Sequence, residues 1–146
     1  MKTIFDKTTR DQLVARIALL TDDNKAQWGK MNVYQMVKHC RLFEEMILGK
    51  TTYKRAFIGR LFGKLALRNV MSEGPLAHNT PSLPELIIKD NGQIAVEKER
   101  WVALIEEHGH SSGVTIIHPF FGRMTREQVG IMAYKHTDHH LRQFNV

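Results

Sequence analysis

Residues Ala133 to Phe144 read AYKHTDHHLRQF and place three histidines, His136, His139 and His140, within five positions. Thr125 and Gln128 stand in a capping-box pattern ahead of them, which predicts a helix running to about Phe144. At ~100° per residue, Val129, Met132, Ala133 and Phe144 form one apolar stripe, and His136 and His140 fall within about 20° of its centre. His139 lies near the stripe's edge, and Asp138 points the other way. Two core-facing imidazoles must be hydrogen-bonded or pay for desolvation. They can also grip one metal ion, because side chains at i and i+4 lie over each other. Zinc sites of the HExxH type use that spacing. Thr137 follows His136, so the glutamate base of that motif is absent.

A third ligand is expected on a second helix. Asn32 and Gln35 form another capping box, and Gly49 stops the helix after about Leu48. Met36, Val37, Cys40, Phe43, Met46 and Ile47 make a wide apolar arc on it, and His39 lies inside that arc. His39, His136 and His140 are therefore the candidate metal ligands. Three imidazoles leave a coordination position open for water or substrate, as catalytic sites do. The alternative is three satisfied core histidines. Cys40 reads as a small buried hydrophobe. Glu44, near the edge of the arc, is a candidate general base. His118 precedes Pro119 and two phenylalanines, and reads either as a polar group at a pocket rim or as part of a packing loop. His78, His108 and His110 read as surface residues.

The elements that must position these groups are mostly helical. A first helix spans about Thr8 to Leu20, a third about Tyr53 to Met71, and a fourth about Asn91 to His108. SEGPLAHNTPSLPEL between the third and fourth holds three of the four prolines and must be a connection, long by usual standards. Val114 to Ile117 is the one short extended piece expected. The fold class is all-α: a single domain over 1–146, a helical bundle with one long connection and an additional helical segment.

The composition, 42% hydrophobic and 25% charged, is that of a globular domain and excludes general disorder. No run approaches the length of a membrane span, no secretory leader is evident, and the lone cysteine fits a cytoplasmic setting. The net charge of +6 favours anionic partners without selecting one. Arg60, Lys64 and Arg68 recur at helical spacing, with no acidic residue between Lys50 and Ser72. This stripe reads as a solvated face, and neither a nucleic-acid nor a membrane partner is expected.

Two segments, WGKMNVYQMVKHC (Trp28 to Cys40) and HPFFGRMTREQVGIMAYKHTDHHLRQF (His118 to Phe144), resemble the DinB-like superfamily, also called YfiT-like metalloenzymes. The resemblance covers about 40 residues in the right order. It implies a four-helix bundle with a metal held by one histidine of the second helix and two of the last, which are His39, His136 and His140 here. Nickel and zinc are the first candidates, with iron and manganese open. Related branches use low-molecular-weight thiols, so the resemblance implies S-transfer to, or hydrolysis of, a small electrophilic molecule. The competing expectation is a non-catalytic, metal-stabilised bundle that binds a ligand or protein, and either form leaves room for a homodimer.

Overall fold

The computed structural model describes residues 1–111 and 115–146. Its elements are α1 (Lys7–Ala18), α2 (Val33–Ile47), α3 (Phe57–Val70), a 3-10 turn (Pro84–Leu86), α4 (Ile94–Glu107), β1 (Ile116–His118), β2 (Gly122–Met124) and α5 (Arg126–Gln143). Both expected capping boxes form. Asn32 Oδ1 accepts from the Gln35 backbone N–H at 2.9 Å, and Thr125 Oγ1 accepts from Gln128 at 3.3 Å. Each reciprocal bond, from the cap N–H to the glutamine Oε1, is also made. These boxes satisfy donors that a helix start leaves orphaned. They fix where α2 and α5 begin, and so the register of every histidine on them.

Helices α1, α4, α2 and α5 pack in a closed ring, each on the next, and form the four-helix bundle. The sequence presents five helical stretches and leaves open which four make the bundle; the outlier is α3. The core is built from Leu13 and Ile17 of α1, Met36, Val37 and Ile47 of α2, Trp101 and Ile105 of α4, and Val129, Ala133 and Leu141 of α5. Each large aliphatic side chain buried there contributes about 1.5–3 kcal/mol. Arg41, which the helical wheel puts on the polar side of α2, is buried too. It bonds Glu97 of α4 and, at 2.7 Å, Glu45, so it joins the two helices.

The extended piece is a hairpin in which Ile116, Ile117 and His118 pair antiparallel with Met124, Arg123 and Gly122. Val114 lies outside the described residues. The turn of the hairpin receives α3. A Cβ on Gly59 would fall 2.5 Å from the Phe120 carbonyl oxygen, and one on Gly63 closer still, so only glycine permits this approach. Tyr53 to Ala56 are not helical as expected. The Ala56 N–H donates instead to the Pro119 carbonyl at 3.0 Å, and Arg55 Nη1 donates to the His118 carbonyl at 3.2 Å. At the other end of α3, Lys135 Nζ donates to the carbonyls of Val70 and Ser72, tying α3 to α5.

Candidate metal centre

His39, His136 and His140 meet in the core between α2 and α5. One ring nitrogen from each lies within 4.8 Å of the others, and all three residues are buried. His39 Nε2 and His136 Nε2 are 3.0 Å apart. Two nitrogens that ligate one zinc ion at ~2.0–2.1 Å sit about 3.0–3.4 Å from each other. This pair already has that spacing.

The outer hydrogen bonds decide which nitrogens face inward. His39 Nδ1 lies 2.9 Å from the Leu86 carbonyl, which can only accept, so Nδ1 carries the proton. His140 Nδ1 lies 2.8 Å from Gln143 Oε1. The Gln143 amide is oriented in turn, because its Nε2 donates to the Trp28 carbonyl at 2.7 Å. Both histidines therefore turn a bare Nε2 lone pair towards the centre, the arrangement metal-ligating histidines show. His136 Nδ1 is buried and has no hydrogen-bond partner among the described residues. Phe43 stacks on the His136 ring, with centroids 3.7 Å apart. Burial pushes the pKa of His39 down, and those of His136 and His140 well down, with the neighbouring imidazoles adding to the effect on the last two. The rings are neutral at neutral pH, as ligands must be. An all-imidazole set suits a transition metal over magnesium or calcium. The three residues fit a metal ion; nothing in their geometry selects one metal.

Two connections do work that the sequence does not advertise. The long segment between α3 and α4 brings the Leu86 carbonyl to His39. The loop before α2 brings Gly29, at φ +81°, against Gln143. A Cβ there would lie 2.6 Å from the amide nitrogen that holds Gln143 in place. Gly29 lies inside the segment Trp28 to Cys40 that carries the family resemblance, but its partner Gln143 is distant in sequence.

The other candidates fall elsewhere. His139 is half-buried, with its ring edge-on to Trp28 at 5.5 Å, and is not part of the three-histidine group. His78 is exposed and stacks on Trp28 at 3.8 Å; His110 is exposed. His108 overturns the surface expectation. It is 2% exposed, and its Nε2 is 2.7 Å from Glu44 Oε2. The reason is Glu44, whose fully buried carboxylate needs donors: it takes His108 on one oxygen and the Thr137 hydroxyl, at 3.2 Å, on the other. Glu44 thus joins α2, the end of α4 and α5. Cys40 is buried with its thiol pKa pushed well up, first by burial and then by the Glu44 charge, which fits the small-hydrophobe reading.

His118 is buried, and its Nδ1 accepts the backbone N–H groups of Phe120 and Phe121 at 3.1 and 3.2 Å. Burial, helped by the Arg55 charge, lowers its pKa to about 4. A neutral ring whose Nδ1 lone pair is occupied carries its proton on Nε2, so His118 is a fixed N–H donor there. A shallow cavity of about 410 Å³ is lined by Trp28, His78, Arg142, Asn145 and Val146. None of the three central histidines is in its wall.

No curated protein and no solved structure matches the chain significantly. One family model does, over residues 3–146, and its description is "protein of unknown function". With nearly its whole length matched, the chain belongs to that family, DUF1569.

Proposed function

We propose that this protein is a DinB-like metalloenzyme that joins a thiol or water to a small electrophilic molecule at the three-histidine centre. One observation carries the reading: three buried imidazoles from two helices converge, two of them with Nε2 lone pairs aimed inward by fixed outer bonds. Nickel or zinc is the preferred ion, iron or manganese the next. A metal held there by His39, His136 and His140 would supply Lewis acidity and lower the pKa of a thiol or water towards neutrality. A low-molecular-weight thiol is the proposed cosubstrate, as the resemblance of the two histidine segments to the DinB-like superfamily implies.

The chain's own residues divide the remaining work. Leu86 and Gln143 hold His39 and His140 in one tautomer. Phe43 covers the His136 face and keeps water from it. His118, a donor through Nε2, suits hydrogen bonding to negative charge that develops on the electrophile, and does not suit proton abstraction. Glu44 has both oxygens engaged, so its role is to hold α2, α4 and α5 in register, and a general base is left to the substrate or solvent.

The second reading, a non-catalytic metal-stabilised bundle, draws on the same burial, because the described cavity does not reach the three histidines. Elemental analysis of the purified protein, followed by turnover of a bacterial thiol with a test electrophile with and without added metal, separates the two. Metal-dependent turnover supports the enzyme. Bound metal with no turnover across several thiols supports the binding module.

A further inference from the structure

The largest unexplained surface is the outer face of α3. Ten large hydrophobic side chains are exposed among the described residues, and five of them, Phe57, Ile58, Leu61, Phe62 and Leu65, fall on this one helix. They are between 57% and 74% exposed, so they are bare, not merely grazed by solvent. Their spacing puts them on one side at ~100° per residue. The opposite side carries Gly59, Gly63 and Leu67, which are buried; the two glycines meet the Phe120 carbonyl. Arg60, Lys64 and Arg68, all exposed, run along one edge of the bare stripe. Lys54, also exposed, lies just before the helix, and no acidic residue occurs from Lys50 to Ser72.

Monomeric proteins rarely expose so contiguous an apolar face without a use for it. The charges decide among occupants. A second copy meeting α3 with α3 would crowd six arginines and lysines together with no acid in the segment to offset them. A nucleic acid would match the cations but leave five apolar side chains in water. An anionic bilayer surface satisfies both halves, since apolar side chains enter the acyl boundary while cations lie among the headgroups. No described helix is long and apolar enough to cross a membrane, so the contact is peripheral.

We infer that α3 is an interfacial helix that docks the protein, through Phe57, Ile58, Leu61, Phe62 and Leu65 with Arg60, Lys64 and Arg68, on anionic lipid surfaces. This revises the expectation of no membrane partner. That expectation weighed the basic stripe alone, whereas the outward apolar stripe beside it is a fact of the folded chain. The inference is independent of the metal centre.

The test is co-sedimentation of the full chain with vesicles of phosphatidylcholine alone and of phosphatidylcholine with phosphatidylglycerol. Wild type is compared with two variants, Leu61→Ser with Phe62→Ser, and Arg60→Gln with Lys64→Gln and Arg68→Gln. Wild type binds the anionic vesicles, with little binding to the neutral ones. Each variant loses about tenfold or more of that binding, while circular dichroism and metal content stay as in wild type. No binding to anionic vesicles by wild type, or binding by both variants equal to that of wild type, overturns the inference. So does a lipid-free dimer that Leu61→Ser with Phe62→Ser dissociates, which would put a second copy on the face.

Discussion

Helices α3 and α5 each carry an apolar stripe with charged or ionisable residues nearby, and the fold treats them in opposite ways. In α5 the apolar stripe faces the core and carries His136 and His140 inward with it. In α3 the large apolar residues face out, and the buried line is Gly59, Gly63 and Leu67. Periodicity marks the faces of a helix but does not say which face is covered. The neighbour decides that. α5 sits in a closed ring of helices with a wide surface to fill. The surface offered to α3 is the backbone of a hairpin turn, which only a line without side chains can approach.

The sharpest break of this comparison is at the α5 stripe. His140→Ala removes an inward ring of the proposed metal site and is expected to abolish metal retention. His139→Ala, one residue away and edge-on to Trp28, leaves it nearly intact. Metal per chain, measured after identical loading at pH 7 and desalting, reads both. Equal content in the wild type and the two variants would show that the three rings are ordinary core histidines.

Acid separates the same buried rings from surface charge. The folded-state pKa values of His39, His136, His140 and His118 all lie below the usual ~6.5, through burial first. Below ~6.5 the unfolded chain takes up protons that the folded chain refuses. The metal-free protein therefore loses stability as pH falls from ~6.5 towards the lower folded values, about 4 for His118. That ring alone accounts for about 3 kcal/mol across the window. Bound metal is lost over the same acid range, because protons compete for its ligands. Urea midpoints of the metal-free protein at pH 7 and pH 5 should differ clearly, and matching midpoints would contradict neutral burial.

A third comparison reverses ordinary hydrophobic intuition on α3. Gly63→Ala adds one methyl where the Phe120 backbone already stands, and undocks α3 at a cost of about 1–3 kcal/mol. Leu65→Ser removes a large apolar side chain from solvent and changes stability by about 0.5 kcal/mol or less. Hydrogen exchange of the α3 amides reads the docking directly. Faster exchange in Leu65→Ser than in Gly63→Ala would mean that the apolar face is the covered one.

The sequence was most informative where one helix holds the whole signal. The two capping boxes, the inward pair His136 and His140, and the inward His39 are each decided within a few turns, and all are as expected. What was hidden depends on parts far apart in the chain. His108 is buried because the end of α4 lands beside Glu44. His39 keeps its tautomer because a carbonyl 47 residues away reaches it. The same holds for Gly29. Gly29→Ala strains a residue at positive φ and pushes the Gln143 amide off its two bonds, which leaves His140 unoriented. Loss of such an outer support weakens metal binding by about 10–100-fold. Gln143→Leu should match it in a competition titration with a chelator. If Gly29→Ala bound metal as wild type while Gln143→Leu did not, the loop would be a bystander.

The smallest effect belongs to the cations of α3. Arg60, Lys64 and Arg68 are exposed, and none makes a side-chain hydrogen bond or ion pair among the described residues. Exposed charges without partners contribute little to folding, and glutamine keeps both the helical preference and the solubility of these positions. The triple change to glutamine therefore leaves thermal stability within about 1 kcal/mol of wild type. A loss several times larger would mean that these side chains are paired or covered in the folded protein. Under the lipid-docking proposal, these same three residues, which matter little for folding, are among those on which anionic vesicle binding depends. Stability and lipid binding, measured side by side on this one variant, then test whether the outer face of α3 exists for the fold or for a partner.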